Sequence, residues 1–228
     1  SREKDFIFYT VAENLAMAAE IPKPKLYIIN DTAMNAFATG RDPKHAVVCA
    51  TSGLLTRLDR SELEGVIAHE LSHIKNYDIR LMSLVTVLVG TVTLLADWFL
   101  RGSRFIGRDK SKKDGAGQIQ AVIMILAIFL ALLSPLIANL IKLIISRRRE
   151  FLADAESAKI TRQPAGLISA LEKFKGDKEP LEVANKATAH LYITNPLKNV
   201  HAGIGWFAKM FNTHPPINER VKALKAML

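Results

Sequence analysis

The longest uncharged stretch of the chain limits what it can fold into. No charged residue occurs from Gly115 to Ile141, and a helix of that length crosses the hydrocarbon core of a bilayer with room for tilt. A second uncharged stretch, residues 81–96, is at the lower limit for a span. The alternative is two buried helices of a soluble core, but such helices seldom stay uncharged over this length. We therefore expect residues 81–141 to form a transmembrane helical hairpin, kinked at Pro135.

The composition fits a protein that is very apolar in some parts and polar in others, since 49% of residues are hydrophobic and 23% are charged. The net charge of +9 suits an anionic membrane surface or nucleic acid. No nucleic-acid-binding motif is present and many basic residues flank the apolar stretches, so we expect a lipid bilayer and no nucleic acid as partner. The single cysteine, Cys49, excludes an intrachain disulfide framework and fits a reducing compartment.

The segments on either side of the hairpin predict a mainly α domain with a small antiparallel β-sheet. Apolar residues at helical spacing predict a helix over residues 5–20. The stretches IPKPKLYIIN, DTAMNAFATG and HAVVCATSGLL predict short strands. Residues 1–80 then form the amino-terminal part of a domain, residues 81–141 the hairpin with a basic loop at 101–120, and residues 142–228 the carboxy-terminal part.

Residues 69–73, His-Glu-Leu-Ser-His, have the spacing of a metal site. On a helix, His69 and His73 lie on one face, so that both imidazoles can bind one metal ion. Glu70 lies between them and is close enough to hold the attacking water. Two imidazoles and a third oxygen ligand suit a catalytic zinc ion, one per chain, which keeps its fourth position open.

The helix that carries this motif is predicted to begin near Ser61. Ser61 and Glu64 match a capping box, in which the first side chain caps the helix and the second reaches back. Because no helix-breaking residue occurs before Gly90, one continuous helix would carry both the motif and the first apolar stretch.

Glu150 is the first candidate for the third ligand, with Asp154 one helical turn later on the same face. Asp154 could accept a hydrogen bond from a ligand histidine and fix its tautomer. Two alternatives are that Glu150 only balances the charges of Arg147–Arg149, and that Glu156 is the ligand instead. A hairpin that crosses the bilayer twice favours Glu150, because it leaves His73 and Glu150 on the same side, each roughly 12–14 Å beyond the apolar boundary.

The chain resembles the HtpX family of membrane-bound zinc metalloproteases, relatives of the CAAX prenyl proteases. The matching segments, in the family's order, are NAFATG at 35–40, SGLL at 52–55, HELSHIKNYD at 69–78, RRREFLADAES at 148–157, HLYITNPL at 190–197 and THPP at 213–216. The resemblance implies a zincin-like metalloprotease domain interrupted by the hairpin, with His69, His73 and Glu150 as zinc ligands and Glu70 as catalytic base. It also implies a stress-response protease of a bacterial plasma (inner) membrane that cleaves misfolded or damaged membrane proteins, with its active site facing the cytoplasm.

The resemblance supplies candidates for substrate contact as well. His214 is the candidate donor to the oxyanion by analogy with the family; Arg220 could serve instead, and His214 could have only a structural role in its turn. Asn35 is expected at a sheet edge, formed by the NAFA or the HAVVCA segment, along which an extended unfolded or membrane protein substrate binds. Family members carry an additional amino-terminal membrane hairpin, so we expect this chain to be a truncated or processed form.

A non-catalytic membrane scaffold that contains zinc is the alternative function. Structural zinc sites are closed by four protein ligands, and no fourth candidate lies at suitable spacing, whereas Glu70 binds no metal in the proposed site. Charge alone does not orient the hairpin, because basic residues occur both in the 101–113 loop and at Arg80 and Lys142. A further alternative is that residues 81–100 enter the membrane only partly.

Overall fold

The structure is a computed structural model that describes residues 5–84, 86–88, 90–91, 94, 125, 129, 147–177 and 215–228. Its helices are α1 (Phe6–Ala18), α2 (Ser52–Arg57), α3 (Arg60–Lys75), α4 (Arg147–Thr161), α5 (Pro164–Gly176) and α6 (Ile217–Lys225), and residues 78–84 are also helical. Its strands are β1 (Lys25–Ile29), β2 (Ala36–Gly40) and β3 (Ala46–Thr51), with a 3-10 turn at Pro43–His45. The described part is thus mainly helical with a small sheet.

The sheet is mixed, which corrects the prediction that it is antiparallel. Its strand order is β1-β3-β2, with β3 parallel to β1 and antiparallel to β2. β3 is the most buried of the three strands. Because it lies in the centre of the sheet, β1 and β2 cover both of its edges. Of the two segments predicted to offer a sheet edge, NAFA lies in an edge strand of the described sheet, and HAVVCA lies in the centre.

α3 is the central helix of the described fold. Every residue from Gly65 to Ile74 is buried, and the helix contacts α1, α4, α5 and β2. Gly65 allows the close approach of α5, because a Cβ atom there would lie 2.6 Å from the backbone nitrogen of Leu167. The His-Glu-Leu-Ser-His motif therefore lies inside the domain, on a helix that is packed by its neighbours along most of its length.

The amino-terminal cap of α3 is Asp59, which corrects the predicted cap at Ser61. The Asp59 carboxylate accepts a hydrogen bond from the backbone N–H of Glu62 at 2.9 Å, and the Glu62 side chain accepts one from the backbone N–H of Asp59 at 2.8 Å. Glu62 also accepts hydrogen bonds from Lys173 and Ser169, both at 2.6 Å. Burial raises the pKa of Glu62, but these hydrogen bonds prevail and hold it below its ordinary value.

α3 ends at Lys75, whereas the sequence predicts one continuous helix toward Gly90. Tyr77 has a φ of 60°, a left-handed conformation that costs roughly 1 kcal/mol for a residue with a Cβ. The chain changes direction there, and Asp78 begins a new helical segment. With the helix interrupted, the Asp78 carboxylate lies 3.1 Å from Nδ1 of His73.

Most of the predicted hairpin, residues 81–141, lies outside the described residues, as does the basic loop at 101–120. In the part of the chain that the structure describes, we find no helix that is both long enough and apolar enough to span a membrane. The hairpin and the three-part division of the chain therefore stay predictions.

Candidate metal centre

Three buried side chains bring metal-binding atoms together. The Nε2 atom of His69 lies 3.3 Å from the Nε2 atom of His73, and carboxylate oxygens of Glu150 lie 3.7 and 3.6 Å from these two nitrogens. All three residues are buried. A tetrahedral zinc ion with ligands at about 2.1 Å keeps them about 3.4 Å apart from one another. The observed spacings therefore fit one zinc ion.

A carboxylate behind each imidazole sets its tautomer. Asp154 lies 3.0 Å from Nδ1 of His69, and Asp78 lies 3.1 Å from Nδ1 of His73. Because an ionised carboxylate only accepts hydrogen bonds, each Nδ1 carries the proton and donates it. When both imidazoles are neutral, as metal binding requires, the two Nε2 atoms 3.3 Å apart carry the lone pairs that one metal ion can share.

The two histidines have opposite pKa shifts. Burial, reinforced by the charge of Arg220, lowers the pKa of His69. Burial acts on His73 in the same sense, but the hydrogen bond from Nδ1 to Asp78 and the charges of Glu150 and Glu70 raise its pKa to about 9. Without a metal, His73 therefore holds a proton at neutral pH, which a metal ion has to displace.

α6 contributes Arg220, whose guanidinium binds Asp154 through two hydrogen bonds. Its Nε and Nη2 atoms lie 2.9 and 2.6 Å from the two carboxylate oxygens, and its side chain is 1% exposed. Burial raises the pKa of Asp154, but the charge of Arg220 and the hydrogen bonds from His69 and Arg220 lower it to about 2. Asp154 therefore stays ionised behind His69. Its predicted role in orienting a zinc ligand and the predicted contact of Arg220 with substrate stay predictions.

Asp78 is a residue of the site that the sequence reasoning missed. It is buried, orients His73, and also pairs with Arg149 at the start of α4. The sequence does indicate that an acceptor for His73 should exist, because a ligand histidine almost always donates its second N–H to an oxygen acceptor. Residues five apart do not share a helical face, however, so only the break at Tyr77 brings Asp78 within reach.

The alternatives to Glu150 as third ligand have other contacts. The Glu156 carboxylate accepts a hydrogen bond from Asn76 at 2.7 Å and pairs with Lys75 at 3.7 Å. Glu156 is not part of the cluster of converging metal-binding atoms found among the described residues. In the arginine run, Arg149 pairs with Asp78, and Arg147 lies 3.9 Å from Glu219. Glu150 itself lies 3.7 and 3.6 Å from the Nε2 atoms of the two histidines and 3.8 Å from Nη1 of Arg220, so its role as third ligand stays a prediction that this placement supports.

Of the remaining predicted residues, Glu70 and Asn35 are described by the structure. Glu70 is buried on α3, next to His69 in sequence, and its charge adds to burial in raising the pKa of Cys49 on β3 to about 11. Asn35, also buried, directly precedes β2, and its backbone N–H donates to Thr51 Oγ1 at 3.0 Å. His214 lies outside the described residues, so its role stays a prediction.

Comparison with known proteins extends over almost the whole chain. The profile described as "Peptidase family M48" matches residues 8–228. Proteins named "Protease HtpX homolog" are 44% identical in Caldanaerobacter subterraneus (over 99% of this chain and 73% of the relative), 48% identical in Dictyoglomus thermophilum (95% and 68%) and 48% identical in Tropheryma whipplei (100% and 74%). Among solved structures, that of S. mikatae Ste24p matches with a TM-score of 0.49 at 19% identity, over 94% of this chain and 49% of its own. The chain thus spans about half the length of that protein.

Proposed function

This chain belongs to peptidase family M48 and is a metalloprotease, and from that membership we propose that it is a zinc-dependent, membrane-held endopeptidase that cleaves misfolded or damaged membrane proteins. One observation carries the proposal. The Nε2 atoms of His69 and His73 and the carboxylate of Glu150 converge at the spacing of tetrahedral zinc ligands. Each imidazole is held in the required tautomer by a buried carboxylate.

The proposed mechanism assigns the proton transfers to Glu70. Zinc, when bound by the three ligands, would polarise the scissile carbonyl and make water more acidic. Glu70 takes a proton from the attacking water and later delivers it to the leaving amine. His214 is the proposed donor to the oxyanion, with Arg220 as the alternative, and Asp154 keeps His69 oriented throughout.

An extended substrate is proposed to pair with the outer edge of β2. The backbone N–H of Thr51 donates to the carbonyl of Asn35 at 3.0 Å, and in an antiparallel pair such bonds alternate along the strand. The backbone groups of Ala36 and Ala38 therefore face away from β3. The Ala36 N–H donates to Oδ1 of Asn35 at 3.1 Å, a bond that a substrate strand would have to displace. Because β2 also contacts α3, a chain added at this edge would pass next to the metal-binding helix.

Membrane attachment through residues 81–141 is part of the same proposal. Its support is the lack of charge over residues 81–96 and 115–141. The distance of 3.6 Å between His73 and Glu150 supports an even number of crossings, because one crossing would separate these ligands by the bilayer. We assign the protein to a bacterial inner membrane with the catalytic side in the cytoplasm.

Proteolysis by the parent and by Glu70→Gln, in detergent with and without a chelator, tests this function. We expect the parent to digest unfolded casein, the chelator to abolish cleavage, and Glu70→Gln to bind one zinc ion per chain without cleaving. Casein digestion by Glu70→Gln at the parent's rate would refute the mechanism. Zinc binding by a parent that cleaves nothing would favour the alternative, a non-catalytic zinc-containing scaffold.

A further inference from the structure

The 78–84 helix is fixed to the end of β2 by Ser83. Its hydroxyl donates to the carbonyl of Gly40 at 3.0 Å, accepts from the backbone N–H of Gly40 at 3.3 Å and lies 3.2 Å from the hydroxyl of Thr39. Arg41 follows Gly40 directly, and Arg80 precedes Ser83 by one helical turn. The link therefore holds the two arginines on either side of the same gap.

This gap is a pocket of about 540 Å³, and it is lined by Arg41, Arg80, Leu81, Ser83, Leu84 and Val87. None of the proposed zinc ligands lines it. Arg80, Leu84 and Val87 lie on one face of the helical segment because they are four and three residues apart. Leu84 and Val87 are 49% and 64% exposed. This face of the helix therefore presents the Arg80 cation followed by exposed apolar side chains.

The charge at the mouth of the pocket is positive. The Arg41 side chain is 72% exposed, although its Nε atom lies 3.2 Å from Asp42 and its Nη2 atom 3.1 Å from His45. No residue that the structure describes forms an ion pair with the Arg80 side chain. The residues that line the pocket thus include two arginines and no carboxylate, and the matching occupant carries negative charge at one end and apolar groups along the rest.

We propose that this pocket binds a phospholipid with an anionic headgroup, whose phosphate lies between Arg41 and Arg80 and whose acyl chain runs along Leu84 and Val87. The proposal rests on the membrane attachment proposed above. A peptide with acidic and apolar residues has similar chemistry, but Leu84 and Val87 belong to the uncharged stretch 81–96 that is proposed to enter the membrane, which favours lipid. Through Ser83 and Gly40, a bound lipid would hold the β2 edge near the bilayer surface.

Lipid titration of the whole chain in neutral detergent tests the proposal. Short-chain phosphatidylglycerol is added, and binding is followed by thermal shift and native mass spectrometry, with phosphatidylcholine of the same chain length as comparison. We expect saturable binding of phosphatidylglycerol only. Arg41→Gln and Arg80→Gln should each weaken it roughly fivefold, and the double variant about 30-fold. Arg60→Gln, which removes an exposed arginine paired with Glu64 outside the pocket, should leave it unchanged.

Several results would overturn the inference. These are equal affinity for both lipids, undiminished binding by the double variant, displacement of the lipid by inorganic phosphate at equal concentration, or displacement by an acidic apolar peptide. If the double variant has a lower melting temperature than the parent in the absence of lipid, the lipid affinity of the single variant Arg80→Gln is used instead to test the inference. Flotation with phosphatidylcholine vesicles separates the two proposals, because its failure refutes the membrane attachment, whereas normal flotation without lipid selectivity refutes only the pocket.

Discussion

At the scale of single residues, two buried carboxylates decide which imidazole nitrogen is available to a metal. Asp154 and Asp78 accept hydrogen bonds from the Nδ1 atoms of His69 and His73, and each is itself paired with an arginine, Arg220 or Arg149. Arg220 keeps Asp154 ionised by lowering its pKa, and Arg149 fixes the position of the Asp78 carboxylate. The site is therefore built as two chains of contacts that begin on α6 and α4 and end at the two imidazoles.

Asp78→Asn should weaken zinc binding by about 10–100-fold, because a neutral amide orients His73 less firmly and makes its Nε2 a weaker donor. The measurement is the zinc affinity in competition with a chromophoric chelator. Asp42→Asn is the matched control, since Asp42 lies 2.8 Å from Nδ1 of His45 on the exposed surface. An equal loss of affinity in both variants, or none in Asp78→Asn, would contradict the role given to Asp78.

Short-range spacing explains which site residues could be predicted from the sequence. His69, Glu70 and His73 lie within little more than one helical turn, so their arrangement follows from helix geometry alone. Glu150 and Asp154 repeat that geometry on a second helix. Asp78 depends instead on the left-handed conformation of Tyr77, and a tyrosine in sequence gives no sign of such a conformation.

At the scale of secondary-structure elements, the start of α3 shows why a local motif can be misplaced. Asp59 with Glu62, and Ser61 with Glu64, have the same spacing of three residues. The structure selects the first pair because Glu62 is also bound by Ser169 and Lys173 of α5. These partners are over a hundred positions away in sequence, so local pattern alone did not identify the cap.

The contribution of this cap to the stability of the fold should depend on pH. Since hydrogen bonding lowers the pKa of Glu62 in the folded chain, the unfolded chain binds a proton there more readily. Its contribution to stability is complete above the ordinary glutamate pKa of about 4.3, and it is lost as the pH falls through the lowered value. Denaturant unfolding from about pH 6 to about pH 3 should show this loss. It should disappear in Glu62→Gln and remain in Glu64→Gln, because Glu64 lies outside the cap and pairs with the exposed Arg60.

The contact between α3 and α5 permits a second test at this scale. Gly65→Ala should lower the free energy of unfolding by about 1–3 kcal/mol, because the new Cβ would lie 2.6 Å from the backbone of Leu167. Gly176→Ala is the control, since a Cβ there would meet no atom within 4 Å. Equal unfolding midpoints for the two variants in denaturant would contradict this prediction, because they would show that α3 and α5 accommodate the added methyl group without loss of stability.

At the scale of the whole molecule, the metal centre restricts how the chain can cross a membrane. Its proposed ligands come from both sides of residues 81–141, and His73 and Glu150 lie 3.6 Å apart. If residues 81–141 enter the bilayer as proposed, the parts of the chain before and after them must lie on the same side of it. The two uncharged stretches predict two crossings, and the proximity of His73 and Glu150 requires an even number of crossings. These two arguments agree although they use different residues.

Cysteine labelling in sealed, inverted inner-membrane vesicles tests this topology. Arg60→Cys before the hairpin and Lys175→Cys after it should both react with a membrane-impermeant maleimide, because the exposed face of such vesicles is the cytoplasmic one. Ser103→Cys, between the two uncharged stretches, should react only after the vesicles are opened. The parent is the control: its Cys49 is buried and its pKa is raised to about 11, so its thiol should label little. Labelling of Ser103→Cys in sealed vesicles would show that the segment does not cross, and protection of only one of the other two would place the ligands on opposite sides.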